Sequence, residues 1–351
     1  MSKIVFTGGG TLGHVMPNLY LIEELKKNNE IFYIGSNGIE KEKVIKTGVK
    51  FFEISSTKLF RGKFVRNLSI PFKLIKAINQ AKKILKEINP DIIISKGGYV
   101  SLPVCIAGRK LRIPIVSHES DYSFGLANKI ILKISDKMCV NYEHLTSISH
   151  NIVYTGPILS SDFKLSNIKS TVKLNLNTNL PTILIVGGSS GSKVINDTII
   201  RCLDKLVDKY NIIHIVGKGN SNNQKYTNYN QFELTDNMPY LYSISDLVVG
   251  RAGAGVIFEC AYMKKPMLLI PLQNSNSRGD QVQNAKYFKE KGGARILYEP
   301  QLNSITLAKH IELALNEAGQ MHKNLAKLDL SHGKQKMLDV INEILDEKTH
   351  D

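Results

Sequence analysis

Short runs of β-branched and other apolar residues recur through the first half of the chain, at 3–7, 31–35, 51–54, 91–95, 113–118, 137–141 and 152–155, with helical patterns between them. Runs of this length without polar alternation fit strands buried on both faces. Strands alternating with helices predict an α/β fold with a parallel, doubly wound sheet. A polar stretch at 166–179 interrupts the pattern, and a second series follows at 182–186, 211–216, 231–234, 246–250, 266–271 and 294–297. The fold is expected to start again there.

Both series open alike, with a buried-type strand running into glycines and then a helix: KIVFTGGGTLGH at the start and TILIVGGSSGSKVIN from Thr182. This is a weak internal duplication rather than a short-period repeat. A chain of 351 residues is also long enough for two cores. Two Rossmann-like domains with parallel sheets facing across a cleft are therefore expected, at 1–160 and 161–335. The amphipathic segment 334–345 predicts a last helix, at about 336–351 in the domain division, placed to pack back on the first domain.

Composition narrows the class. A hydrophobic fraction of 42% and a charged fraction of 22% are globular values, and no run approaches the 18 apolar residues of a membrane-spanning helix. The opening MSKIVFTGGG has no signal-peptide pattern, which points to the cytosol. The four cysteines, Cys105, Cys139, Cys202 and Cys260, are widely spaced and suggest reduced core residues rather than a zinc knuckle or disulfide framework. The net charge of +15 implies an anionic partner: nucleic acid, an acidic bilayer or a phosphorylated substrate. No basic and aromatic stacking module or DNA-binding motif is present, so nucleic acid is the weakest of the three. The segment 58–86 carries nine cations (Lys58, Arg61, Lys63, Arg66, Lys73, Lys76, Lys82, Lys83 and Lys86) and no acid, interleaved with Leu59, Phe60, Phe64, Leu68, Ile70, Phe72, Leu74 and Ile75. That arrangement suits an anionic phospholipid surface, and equally a core helix with a solvated lysine face.

Gly8, Gly10 and Gly13 match G-x-G-x-x-G after a strand, a spacing that brings backbone amides to an anion at a helix N-terminus. A dinucleotide reader also needs an acid at the end of its second strand, where this chain has Tyr33-Ile34-Gly35-Ser36. An NAD-dependent oxidoreductase thus lacks its second anchor. His14 begins the following helix at the rim where open α/β sheets bind ligands, and Gly97-Gly98-Tyr99 and His118-Glu119-Ser120-Asp121 are expected to converge on it. His118-Glu119 is not a zincin motif, because Tyr122 stands where the second histidine is required. In the second half, Gly187-Gly188-Ser189 and Arg251-Ala252-Gly253-Ala254-Gly255 offer two sets of amides suited to a diphosphate. Glu259 suits sugar or ribose hydroxyls, or serves only as an acid near a helix N-terminus. Asp280 and Gln281 suit hexose hydroxyls. There is no D-x-D, so a diphosphate held by helix N-termini is favoured over one neutralised by a metal, and neither a metal nor a cofactor is expected.

At these residues the chain resembles the MurG family, N-acetylglucosaminyltransferases of bacterial peptidoglycan synthesis with GT-B architecture. The resemblance spans essentially the whole length. It is carried by Gly9-Gly10-Thr11-Leu12-Gly13-His14, Lys96-Gly97-Gly98-Tyr99-Val100-Ser101, His118-Glu119-Ser120-Asp121 and Gly125-Leu126-Ala127-Asn128-Lys129, then by Gly187-Gly188-Ser189, Arg251 to Glu259, Gly279-Asp280-Gln281 and Asn284-Ala285. It implies transfer of GlcNAc from UDP-GlcNAc to the MurNAc 4-hydroxyl of lipid I, giving lipid II with inversion, by a peripheral enzyme on the cytoplasmic face of the membrane. It further implies that Ser189, Ala254, Gly255, Glu259 and Gln281 hold the donor, that Thr235 stands at a backbone contact to uracil, and that Thr11, Leu12, Gly13 and His14 line the opposite side. Leu12 and the Ser120-Asp121 pair depart from the commonest family pattern, and the arginine expected after the domain-linking strand is absent from 157–160.

Inversion needs a single displacement. His14 is the expected general base, with Asp121 as its rival or as an orienting group, and Arg251 is an additional positive group for the leaving diphosphate. A related GT-B glycolipid synthase shares this donor pattern and differs only in its acceptor.

Overall fold

The computed structural model describes residues 1–56, 69–164, 168, 172–188, 190–273 and 278–349. The chain divides into two compact units, one of Met1–Ser160 with Ser331–Asp351 and one of Ser161–Leu330.

The first unit is built on seven parallel strands: β1 (Lys3–Thr7), β2 (Glu30–Gly35), β3 (Lys50–Glu53), β4 (Ile92–Ser95), β5 (Ile115–Glu119), β6 (Lys137–Val140) and β7 (Ile152–Tyr154). Their order is β3-β2-β1-β4-β5-β6-β7. Central strands such as Ile92–Ser95 are buried at every position, because helices cover both faces. Helices Met16–Leu25 and Gly333–Thr349 share one core: Leu21, Ile22 and Leu25 cluster with Met337, Val340, Ile341 and Ile344 over Ile4, Phe6 and Ile94. Lys334 reaches Glu24 at 3.3 Å beside this seam. The last helix therefore belongs to the first unit, while the second ends at Leu330.

The second unit repeats the plan with six parallel strands: β8 (Thr182–Val186), β9 (Asn211–Ile215), β10 (Tyr229–Phe232), β11 (Leu247–Gly250), β12 (Met267–Leu269) and β13 (Ala294–Ile296), in the order β10-β9-β8-β11-β12-β13. Its core gathers Ile183, Ile185, Ile195, Ile199, Val249, Leu268, Leu307 and Ile311. All four cysteines are buried free thiols.

Each expected strand is present, and the shifted ends have local causes. β5 starts at Ile115 rather than 113, and β12 spans Met267–Leu269 rather than 266–271. Pro114, Pro266 and Pro271 have no N–H to give to a ladder. Pro114 and Pro266 instead end the approach by accepting from Ile93 and Val248, each at 2.9 Å. β10 runs two residues ahead of its expected span, its last rung being Val216 N–H to the Phe232 carbonyl at 2.9 Å.

The helix Ile70–Ile88 buries Ala77, Ala81, Leu85 and Ile88, one stripe along its length, and ends on Asn89 in the left-handed conformation. Its first turns leave Phe72 76% and Ile75 57% exposed, with Lys73, Lys76, Lys83 and Lys86 also exposed and Lys82 half-buried. The earlier part of the basic segment, including Lys58, Arg61, Lys63 and Arg66, lies outside the described residues. Among the described residues no helix is long and apolar enough to cross a membrane.

Candidate active site

β1 lies between β2 and β4, and β8 between β9 and β11, so each sheet changes its direction of winding beside its first strand. Loops leaving neighbouring strands at such a point diverge and open a crevice beyond the strand ends, where open parallel sheets bind ligands. The loops concerned follow β1 and β4 in the first unit, and β8 and β11 in the second.

After β1 the chain makes a 3-10 turn, Leu12–His14, before the helix Met16–Leu25. His14 is half-buried, and its Nδ1 lies 3.2 Å from both the Thr11 hydroxyl and the Gly9 carbonyl. A proton on Nδ1 satisfies that carbonyl and leaves Nε2 with the lone pair a base requires. Gly98, at φ +81°, packs against the ring: a β-carbon there would stand 3.1 Å from His14 Nδ1 and 3.3 Å from the Gly9 carbonyl. The loop after β4 is thus closed onto the histidine. Thr11 and Gly13 are exposed beside it and Leu12 is half-buried.

The glycine loop is tied by a carboxylate that motif reading overlooks. Glu40, in the first turn of the helix Ile39–Ile45, is fully buried and accepts from the Gly10 amide at 3.1 Å, the Ser36 amide at 3.0 Å and the Ser36 hydroxyl at 2.5 Å. Tyr33 donates to the Gly8 carbonyl at 2.8 Å, and Asn18 donates to the Thr7 carbonyl at 3.1 Å. An acid therefore does stand near the end of β2, but it holds the protein's own loop rather than a ribose. This disposes of the dinucleotide reading, which needs the Gly10 amide for phosphate.

The rim position expected for His118 is corrected by the structure. β5 continues to Glu119 because His118 pairs with Cys139 and Glu119 with Val140 in register with β6. His118 is only 1% exposed, and burial, followed by the charge of Lys96, holds its pKa well below the ordinary imidazole value. It is a neutral core residue. Glu119 is also buried and accepts from the amides of Asp121 at 3.0 Å and Gly125 at 3.1 Å and from Asn128 Nδ2 at 2.9 Å. Its role is to shape the loop that carries the half-buried Asp121.

In the second unit the helix Ala254–Tyr262 starts on Gly253 without any side-chain cap, so its first amides point onward from β11. Gly253 and Gly255 have no positive φ, and a β-carbon on either would meet nothing within 4 Å. Neither conformation nor packing within the protein calls for glycine there, whereas close approach of a ligand to the amides does. Glu259 stands one turn further along, half-buried, and receives the hydroxyl of the buried Tyr242 on Oε2 at 3.0 Å. Desolvation pushes its pKa up to about 7, with the Tyr242 bond acting in the opposite direction. Asn284, buried on the helix Asp280–Glu290, donates to the Ala252 carbonyl at 3.2 Å. Gln281 accepts from the Leu272 amide at 3.0 Å, which directs its carboxamide oxygen inward and leaves the NH₂ end as the donor. These two bonds draw the loops after β11 and β12 together.

Two expected ligand residues are committed elsewhere. Arg251 donates to the Ile270 carbonyl at 3.1 Å and forms an ion pair with Glu299, which neutralises the charge expected to face a diphosphate. Asp280 pairs with Arg278 at 3.5 Å at the start of its helix. Thr235 lies in the loop after β10, where its hydroxyl accepts from the Asn237 amide at 3.0 Å. Ser189 lies outside the described residues. Among the described residues, no group of three or more His, Cys, Asp or Glu side chains is placed to hold a metal ion.

Two parallel-sheet units in one chain, each with glycine loops at its switch point, match the GT-B class, and the family comparison makes the chain a glycosyltransferase of that class. Residues 4–140 match the glycosyltransferase family 28 N-terminal domain, and residues 182–343 match the family 28 C-terminal domain. The chain is 43% identical over 351 residues to the UDP-N-acetylglucosamine–N-acetylmuramyl-(pentapeptide) pyrophosphoryl-undecaprenol N-acetylglucosamine transferase of Clostridium botulinum (strain Langeland), covering 97% of this chain and 99% of that one. It is 44% identical over 348 residues to the enzyme of the same name from Clostridium novyi, covering 97% and 98%. The crystal structure of Acinetobacter baumannii MurG superposes with a TM-score of 0.75 at 22% identity, covering 97% of this chain and 99% of that one. The chain belongs to the MurG family.

Glu40→Gln keeps the side chain's size but turns an NH₂ group toward Gly10 or Ser36, setting donor against donor. The expected loss is about 1–3 kcal/mol in the stability of the first unit, with faster amide exchange at Gly10. Denaturant unfolding followed by hydrogen exchange measures both, and an unchanged pair of values would remove Glu40 as the clamp.

Proposed function

We propose that this chain transfers GlcNAc from UDP-GlcNAc to the MurNAc 4-hydroxyl of lipid I, with inversion at the anomeric carbon, to form lipid II. The observation that carries this reading is the uncapped helix Ala254–Tyr262, with open space over Gly253 and Gly255 and the Glu259 carboxyl one turn along. A donor diphosphate placed on those amides brings its ribose or sugar hydroxyls within reach of Glu259 and the Gln281 amide. The relatives named above are transferases of this kind along their full length.

His14 serves as the base. Nδ1 is engaged with Gly9, so Nε2 takes the proton of the acceptor hydroxyl as its oxygen attacks the anomeric carbon and the bond to UDP breaks. The negative charge then grows on the departing diphosphate, where the amides of Ala254 and Gly255 and their helix dipole stabilise it. Asp121 orients the acceptor. Incubating the protein with UDP-GlcNAc and a lipid I analogue is the direct test. Release of UDP only with a diacylglycerol acceptor would instead indicate a glycolipid synthase on the same scaffold.

His14→Ala is expected to lower turnover by two or more orders of magnitude while leaving UDP-GlcNAc affinity nearly unchanged, since a base of this kind contributes about 10²- to 10⁴-fold. Retained turnover in that variant transfers the base role to Asp121 or to water.

Glu259 acts on the donor, so Glu259→Ala should weaken UDP-GlcNAc roughly 10- to 100-fold, the worth of a hydrogen bond to a charged group. In the unliganded protein its carboxyl is half protonated at about pH 7. Only the ionised form accepts from two hydroxyls, so wild-type affinity should fall as pH drops through 7 and be independent of pH in Glu259→Gln. Calorimetric titration between about pH 5.5 and 8.5 reads this directly.

The membrane partner is the anionic cytoplasmic leaflet, met by the start of the helix Ile70–Ile88, where Phe72 and Ile75 are exposed among lysines. At about 1 kcal/mol per basic residue near such a surface, four lysines give substantial, salt-sensitive binding. The protein should co-sediment with anionic vesicles, release in high salt, and bind far less when Lys73, Lys76, Lys82 and Lys83 are neutralised. Equal binding to neutral vesicles would remove this surface as the contact.

A further inference from the structure

Lys96 follows β4 directly at the switch point of the first sheet and is only 2% exposed. Taking an ammonium group out of water is costly unless nearby groups compensate. Its Nζ donates to the Ser120 hydroxyl at 2.6 Å, and its stem lies behind the glycine loop, where a β-carbon on Gly8 would stand 3.1 Å from Lys96 Cβ. The turn it holds is secured from two further strands. Asn141, just past β6, donates to the Ser120 carbonyl at 3.3 Å, and Glu119, at the end of β5, accepts from the Asp121 amide at 3.0 Å. Three strand ends thus fix two residues, Ser120 and Asp121, and Lys96 brings a positive charge to them.

We propose that Lys96 is a positioning residue of the acceptor side, whose buried ammonium anchors the Ser120-Asp121 turn and stands as a counter-charge beside the Glu119 and Asp121 carboxylates. This rests on the reading given under Proposed function, and it adds a residue that acts through Asp121 rather than on substrate.

Titration follows from the burial. Desolvation lowers the Lys96 pKa to about 8, with Glu119 and Asp121 pulling it back up. The other groups facing this region are His118 on β5, which is neutral, and His14, which packs against Gly98. The protonated lysine is the competent form. Acceptor use is therefore present below about pH 8 and lost as the ammonium deprotonates above it.

The test measures kcat/KM for a lipid I analogue against pH, with UDP-GlcNAc affinity determined in parallel. Wild type is expected to show an alkaline limb centred near pH 8. In Lys96→Met that limb should vanish, with acceptor kcat/KM about 10- to 100-fold lower at neutral pH and UDP-GlcNAc Kd within about twofold. In an Asp121→Asn background the same substitution should have little further effect, because coupled residues are not additive. Ser120→Ala, which keeps the lysine and removes its bond, should raise the acceptor KM at least about threefold, and it stands alone as the test if Lys96→Met does not fold.

An unchanged alkaline limb in Lys96→Met, full additivity with Asp121→Asn, or an unaffected acceptor KM in Ser120→Ala would each overturn the proposal. A wild-type protein inactive on the lipid I analogue would instead defeat the functional reading on which it rests.

Discussion

A parallel sheet covered by helices on both faces has no free surface for chemistry except at the ends of its strands. That constraint shapes both units. Along β1, β4 and β8 the backbone pairs with a strand on each side, and most of the side chains are taken up by the core. The loops beyond the carboxyl ends are left to bind and react, and the reversal of strand order beside β1 and β8 decides which of them open a crevice. The strand cores contribute stiffness, while His14, Asp121, Glu259 and Gln281 all lie just past them or on the helices that follow.

Loops rich in glycine are poor at holding a geometry by themselves, since residues without a side chain have little to pack. The first unit solves this with buried charge. Glu40 grips the Gly10 amide and Ser36, Glu119 grips the amides of Asp121 and Gly125, and Lys96 holds Ser120. Hydrogen bonds to ionised groups are about twice as strong as neutral ones, and removing one partner of such a bond strands a desolvated charge. The second unit adds neutral amides to the Arg251–Glu299 pair: Asn284 on Ala252 and Gln281 on Leu272. Its helix N-terminus at Gly253 is left uncapped, which suits a site that must accept an anion rather than carry one of its own.

The strands were legible because buried runs such as Ile92–Ser95 and Ile183–Val186 declare themselves by composition, and the duplication was legible because both units begin with a strand and glycines. Where the boundaries moved, prolines or pairing register moved them. The candidate site was legible in part. His14, Asp121, Glu259 and Gln281 each follow a strand in a recognisable pattern, and the structure places them past the strand ends or on the helices that follow. What local spacing does not reveal is a side chain's partner. Arg251 is neutralised by Glu299, 48 residues away, and Glu259 is held by Tyr242 from another helix. Glu40 carries no motif, and its bonds to Gly10 and Ser36 emerge only from the fold; His118 and Glu119 lie within β5, paired with β6, rather than on a rim loop.

The first unit's core is completed by residues at the far end of the chain: Met337, Val340, Ile341 and Ile344 close over Leu21, Ile22 and Leu25. The whole of the second unit, Ser161–Leu330, lies between them in sequence. During synthesis from the N-terminus, the ribosome releases the second unit's full sequence before the last helix exists. The order of folding is thereby inverted relative to the order of translation. The second unit can finish while the first waits with an apolar seam open, until the residues of the helix Gly333–Thr349 have emerged to close it.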